Sequence, residues 1–259
     1  MAGSRTPNAH SRKVAIVTGS GKRRVGNVVA RALGQRGYSL ILHYHRSESE
    51  AAETVAELAS IQIESMAIAA DLSHEAEVDR MAEQALDRFG RIDVLVNSAA
   101  IWNSKPLEQV TADDVRRHFE INTLGTFLCS QRVGLAMVKQ PEGGSIITIG
   151  DWAIERPYLN YAAYFPSRGA IPSLTRSLAV ELGTRNPRVR VNCILPGPVL
   201  LPPGVSQSER DAAIQATLVK REGTPEEVAQ AVLFLVENDF VTGACLPVDG
   251  GRTIYANGQ

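Results

Sequence analysis

Three glycines and three basic residues crowd one short stretch, Thr18-Gly19-Ser20-Gly21-Lys22-Arg23-Arg24-Val25-Gly26, directly after an apolar run at residues 14–17. A turn that leads from a buried strand into a helix aims free backbone N–H groups at one point, and the helix dipole adds partial positive charge there. Gly19, Gly21 and Gly26 allow backbone angles and close approaches that a Cβ would block, while Lys22, Arg23 and Arg24 bring full charges. Such a spot suits a diphosphate. About 20 residues past Gly26 comes a second group, His45-Arg46-Ser47. A carboxylate there would serve a free ribose 2′-hydroxyl, whereas an arginine and a hydroxyl suit a 2′-phosphate. Together the two groups predict a dinucleotide site that takes NADP rather than NAD.

Both groups require strands that end where they stand, and the chain supplies them by alternation. Helical spacing over 27–37 is followed by a short apolar strand at 38–44, a helix over 48–60 and a strand at 65–70 that ends at Asp71-Leu72. A helix over 75–89 leads to a strand at 92–96, which runs into Asn97-Ser98-Ala99-Ala100. Thr111, with Asp113 and Asp114 in the first turn, opens one long helix through 137. A strand at 144–150 precedes a helix over 161–182, kinked because Pro166 and Pro172 remove backbone donors. After a strand at 189–195 the prolines and glycines of 196–222 predict a long irregular lid, then a helix from Pro225 to 236 and a last strand at 245–248. This order predicts an α/β fold of the Rossmann type: a doubly wound, mostly parallel, seven-stranded sheet flanked by helices. One domain spans 13–259, with a substrate lid at about 197–222, behind a disordered tail at 1–12.

Composition narrows the function classes. At 259 residues, 44% hydrophobic and 21% charged, the chain has the balance of a globular protein with a sizeable core. A formal net charge of −1 attracts neither nucleic acid nor an anionic membrane globally, which leaves small molecules as partners. Cys129, Cys193 and Cys245 stand far apart in sequence, without metal-ligand spacing, and their odd number fits reduced thiols. No metal site is predicted. The polar first dozen residues read as neither signal peptide nor anchor, so the expected location is cytoplasmic.

The order Val17-Thr18-Gly19 with its basic turn, Asp71-Leu72, Asn97-Ser98-Ala99-Ala100, Asn122, Tyr164 and Val248-Asp249-Gly250-Gly251 resembles the short-chain dehydrogenases/reductases over nearly the whole chain from Lys13. Within that family, His43-Tyr44-His45-Arg46-Ser47, Asp151 thirteen residues before Tyr164, and Pro196-Gly197-Pro198-Val199-Leu200-Leu201-Pro202 are most similar to pteridine reductases. The resemblance implies a cofactor site drawing on Gly19, Gly21, Lys22, Arg23, Arg24, Val25, Gly26, His45, Arg46, Ser47, Asp71, Leu72, Asn97, Ser98 and Ala99. It also implies that Tyr164, Arg168, Pro196, Gly197 and Val199 join that site. Tyr164 becomes the proton donor to substrate, Asn122 the asparagine that distorts its helix and holds a water, and Trp102 the aromatic that stacks on a flat bicyclic ring. Arg24 and Leu200 complete the substrate side. A homotetramer built through the helices that begin at Thr111 and Tyr161 is implied as well.

Two residues depart from the family's common pattern. Arg168 follows Tyr164 by four residues, where the family has lysine. One helical turn keeps it on the tyrosine's face, so it is expected to hold ribose and to draw the phenol pKa down, although it never deprotonates. Tyr161 is followed at the same distance by Phe165, which favours Tyr164 as the catalytic tyrosine. Asp151 stands where serine is usual, as in pteridine reductases; a carboxyl group there can hold a proton and pass it on through Tyr164. The basic turn also carries one residue more than the family count, which leaves open whether Arg23 or Arg24 faces the phosphates. The predicted activity is NADPH-dependent hydride transfer to a small C=N or C=O compound, first of all a dihydropterin- or dihydrofolate-like heterocycle or a cyclic imine. A 3-oxoacyl or other ketone reductase, and a catalytically weak NADP-binding regulator, are the alternatives.

Overall fold

Strands that are apolar along their whole length must be covered on both faces, and parallel pairing with crossover helices achieves this. In the computed structural model, which describes residues 12–201 and 204–255, the strands are Val14–Val17 (β1), Ser39–Tyr44 (β2), Ser65–Ala69 (β3), Val94–Asn97 (β4), Gly144–Ile149 (β5), Val189–Pro196 (β6) and Cys245–Val248 (β7). They form one sheet in the order β3-β2-β1-β4-β5-β6-β7, and every pairing is parallel. The expected disordered tail lies almost wholly outside the described residues. Among those residues no helix is long and apolar enough to cross a membrane, and no His/Cys/Asp/Glu group could hold a metal ion.

Alternation along each strand divides the core into two layers. Ile16, Ile41, Leu95 and Ile146 face Val78 and Met81 of the helix Glu75–Phe89 (α3) and Val133 and Met137 of Gly125–Val138 (α5). Their neighbours Val17, Leu42, Val96 and Ile147 face Val29 and Leu33 of Val25–Gln35 (α1) and Val228 and Val232 of Pro225–Glu237 (α8). The strand order reverses between β1 and β4, so their carboxyl ends open the crevice in which such sheets bind ligands.

Several boundaries differ from expectation for identifiable reasons. The single helix expected over 111–137 is interrupted: Ala112–His118 (α4) gives way to a π segment, Phe119–Leu124, before α5. Asn122 in that segment exchanges two hydrogen bonds with the backbone of Ile101 and donates a third to Ser167 Oγ, and the wider turn accommodates this bridge. The helix expected from 161 starts at Tyr164 and runs to Gly183 (α6). Pro166 falls in its first turn, where a missing N–H costs nothing, while Pro172 lies inside and deprives the Arg168 carbonyl of its usual partner. The lid is not wholly irregular, because Gln207–Gln215 (α7) forms behind a capping box of Ser206 and Glu209. Two of the cysteines described as distant in sequence meet in space: Cys193 of β6 stands directly opposite Cys245 of β7.

Candidate active site

The site is assembled from the carboxyl ends of β1 to β6. At the end of β1, Gly19 has φ +66°, and a Cβ there would lie 2.8 Å from the Ala99 backbone. The loops after β1 and β4 are thus held in close approach, and Thr18 Oγ1 fixes it by accepting the backbone N–H groups of Ser98 and Ala99 at 3.0 and 3.1 Å. Gly21 is packed as tightly from the other side, since a Cβ would meet Ser47 Oγ and Tyr44 Cβ at 2.7 Å. Gly26 lies against the Gly19 carbonyl at the start of α1. The turn is therefore a cradle whose floor tolerates no side chain at Gly19 or Gly21, and it leads into the N-terminus of α1, which suits a diphosphate.

Its charges are distributed unequally. Arg23 pairs with Glu57 of the helix Glu48–Ser60 (α2), which also receives Arg31. Arg24 forms no ion pair among the described residues and shares with Leu200 a cleft of about 300 Å³ beside α1. Lys22 is exposed, and Val25 packs partly into the core. After β2, His45 and Arg46 are exposed and Ser47 is buried against Gly21. His45 Nε2 stands 3.5 Å from Asp71, whose carboxylate also accepts the Ser73 N–H and hydroxyl. The two phosphate-binding expectations thus meet in space, with Ser47 touching the glycine turn.

Three predicted cofactor residues have their side chains elsewhere. Leu72 belongs to the core beneath Gly125. Asn97 is buried and donates to Ser130 of α5, and Val199 packs against the α1 and α8 layer. These side chains position the groove by packing. Gly197 fits closely between elements: its N–H donates to Val248 and a Cβ would lie 2.5 Å from Asp249 Cα, which ties the loop after β6 to the segment after β7.

Over this groove stands a hydrogen-bonded cluster of three residues. Tyr164 Oη donates to Asp151 Oδ2 at 2.7 Å and accepts from Arg168 Nε across a long 3.3 Å. Asp151 is itself fixed, because its other carboxylate oxygen accepts the Ala153 N–H at 2.8 Å. Arg168 is only 5% exposed and has no ion-pair partner among the described residues. The expected lowering of the phenol pKa is not what the structure gives. Burial raises it most; Arg168 opposes this, but the negative charge of Asp151 raises it further, and the net shift is upward. The hydroxyl therefore carries its proton at neutral pH.

Trp102 is stacked on Tyr161 with ring centroids 5.1 Å apart and planes 15° from parallel, and it is tilted toward Tyr164 at 6.4 Å. One of its faces is thus already covered. Tyr158 and Phe165 extend the aromatic wall edge-on. Tyr158 and Phe165, and Ser167 in its bond to Asn122, carried no signal in sequence beyond their nearness to Tyr164. His43 was also hidden: it is buried between the Gly19 N–H and the Ala70 carbonyl, bracing the glycine turn from below.

A doubly wound sheet with a side-chain-free cradle at its first turn and a hydrogen-bonded Tyr–Asp–Arg cluster after its fifth strand has the features of a dinucleotide-dependent oxidoreductase. Comparison with known proteins makes the class specific. Residues 20–253 match the family described as Enoyl-(Acyl carrier protein) reductase. An uncharacterized oxidoreductase of Methylorubrum extorquens is 33% identical over 92% of this chain and 97% of its own. The hydroxynaphthalene reductase-like protein Arp2 of Metarhizium anisopliae is 33% identical over 95% and 97%. A blue fluorescent protein from a metagenomic library, solved in complex with NADPH, matches with a TM-score of 0.84 and 34% identity over 93% of this chain and 97% of that one. The chain belongs to the short-chain dehydrogenase/reductase family, whose oxidoreductases use a nicotinamide cofactor.

Proposed function

We propose that the protein is an NADPH-dependent reductase of small C=N or C=O compounds, with a flat dihydropterin- or dihydrofolate-like ring or a cyclic imine as first choice. The observation that carries this reading is the Tyr164 hydroxyl held between Asp151 at 2.7 Å and Arg168 at 3.3 Å. The nicotinamide supplies hydride when bound. The chain must supply a proton to the heteroatom that hydride addition leaves negative. With Asp151 ionised, the Tyr164 proton is directed at the carboxylate and has to swing away to reach substrate. With Asp151 protonated, the carboxyl donates to Oη, the phenolic hydrogen is free to face the substrate, and the pair delivers a proton in sequence. A serine at this position could offer one neutral hydrogen bond but no such reserve. Arg168 takes the family lysine's place as a fixed charge, and Arg46, Ser47 and Arg24 support recognition of the cofactor phosphates. Asn122 acts by anchoring the loop of Ile101 to α6.

Ketone reduction is the second reading, and the likeness to the hydroxynaphthalene reductase-like protein Arp2 favours it. Trp102, 37% exposed, offers a flat bicyclic substrate an aromatic surface in either case. NADPH oxidation measured in parallel on dihydrobiopterin, dihydrofolate, cyclic imines and keto esters separates the two. Asp151→Ser should lower kcat on ring C=N substrates by about 10- to 100-fold while sparing ketones. Equal proportional losses on both classes would leave Asp151 a structural anchor and favour the ketone reading; NADPH binding without turnover of any substrate would favour a regulator. The proposed tetramer is checked by light scattering.

A further inference from the structure

The two thiols at the far end of the sheet form a built pair. Cys193 and Cys245 are register partners on adjacent parallel strands, so both side chains leave the same face, beneath Ile171 and Leu174 of α6. Neighbouring strands lie about 4.8 Å apart, within the roughly 4.4–6.8 Å Cα separation that a disulfide spans. Their environments differ. Cys193 is fully buried, whereas Cys245 lies on the edge strand and is partly open to solvent. Arg176 Nη1 approaches the Cys245 sulfur at 3.8 Å, while the Cys193 thiol donates to the Ile194 carbonyl at 3.5 Å. The neighbouring Cys193 thiol and the Arg176 guanidinium favour a thiolate at Cys245, whose pKa is drawn down to about 7, while Cys193 is pushed up by the thiol beside it and by burial. Cys129 has neither advantage, and burial pushes its thiol up to about 12.

We propose that Cys245 and Cys193 form a thiol–disulfide exchange site in which Cys245 attacks low-molecular-weight disulfides and Cys193 resolves the adduct into an intrachain bond. The Cys245 thiolate bonds to one sulfur of the incoming disulfide, and the other sulfur leaves as a thiolate. That thiolate takes the Cys193 proton; Cys193 then attacks the Cys245 sulfur and expels the second thiol. Two protein thiols are oxidised and one external disulfide is reduced to two thiols, so no further oxidant is required. The pair adjoins the reductase site: a Cβ on Gly150, the residue before Asp151, would lie 3.2 Å from the Cys193 sulfur, so the bond would form at the foot of the proton site.

The test is incubation of the whole chain with oxidised glutathione, followed by acid quenching, alkylation and peptide mapping by mass spectrometry. The expected product is a Cys193–Cys245 crosslinked peptide pair, reversed by dithiothreitol, with Cys129 left free. Native alkylation of Cys245 should exceed that of Cys129 by more than about 10-fold. Cys245→Ser should abolish both adduct and crosslink, and Cys193→Ala should stop at glutathione on Cys245. A wild-type chain that stays fully reduced, or that accumulates the glutathione adduct to the same level as Cys193→Ala, overturns the proposal. Should Cys193→Ala fail to fold, the wild-type peptide map decides alone.

Discussion

Acid should weaken the fold through one buried imidazole. His43, 2% exposed at the end of β2, is bound on both sides of its ring: the Gly19 N–H donates to Nδ1 at 3.0 Å, and Nε2 lies 2.9 Å from the Ala70 carbonyl. A carbonyl only accepts, so Nε2 carries the hydrogen, Nδ1 is bare and the ring is neutral. Protonation would set a second N–H against that of Gly19. Burial is the main force holding the pKa down to about 4 from 6.5; the Ala70 carbonyl and Asp71 oppose it, and His45 adds to it. Because the folded value is depressed, the stability is complete above about pH 6.5 and is lost as pH falls toward 4, where only the unfolded chain takes up a proton. Between about pH 7.5 and 4.5 the loss should reach about 2–3 kcal/mol. Urea denaturation of the wild type and of His43→Gln across that range measures it. Carboxylates titrate alike in both proteins, so the difference in their pH slopes isolates His43, and equal slopes would refute the reasoning.

Arg46→Ala should weaken NADPH binding by about 10- to 100-fold, the value of one charge-assisted bond, and leave NADH unchanged by fluorescence titration; equal effects on both would remove Arg46 from phosphate recognition. Arg168→Met should lose both cofactor affinity and turnover, since it removes the charge beside Tyr164 while keeping a helix-compatible side chain. Full kcat in that variant would make Arg168 a bystander. Trp102→Ala should raise KM several-fold for bicyclic substrates and far less for a small aliphatic ketone. Uniform losses would assign Trp102 to packing on Tyr161 instead.

The sheet was legible because its signal is local: seven apolar runs separated by helical spacing allow few arrangements, and glycines and charges follow the first two strands where ligand-binding loops belong. What escaped depends on contacts between distant segments. Nothing near His43 shows that its two partners lie 24 and 27 residues away, just past the ends of β1 and β3. The Cys193–Cys245 pair exists only through the register of β6 with β7. The π segment follows from a bridge among Ile101, Asn122 and Ser167 that no helix propensity encodes. Tyr164 shows the limit most clearly: its partners one turn and thirteen residues away were readable, but the direction of its pKa depends on how deeply the ring is buried beside Asp151.

The π segment between α4 and α5 works as a phase shifter. Each residue advances an α-helix by about 100°, so a wider turn carrying one extra residue rotates everything before it relative to everything after it without changing the axis. The α5 side can thereby keep Val133 and Met137 in the core while Asn122 still reaches Ile101 and Ser167. Deleting any one residue between 119 and 124 other than Asn122 would restore an ordinary helix with better hydrogen-bond geometry. The same deletion would turn Asn122 about a quarter of a circle away from both partners, so the locally more regular helix would release the loop that carries Trp102.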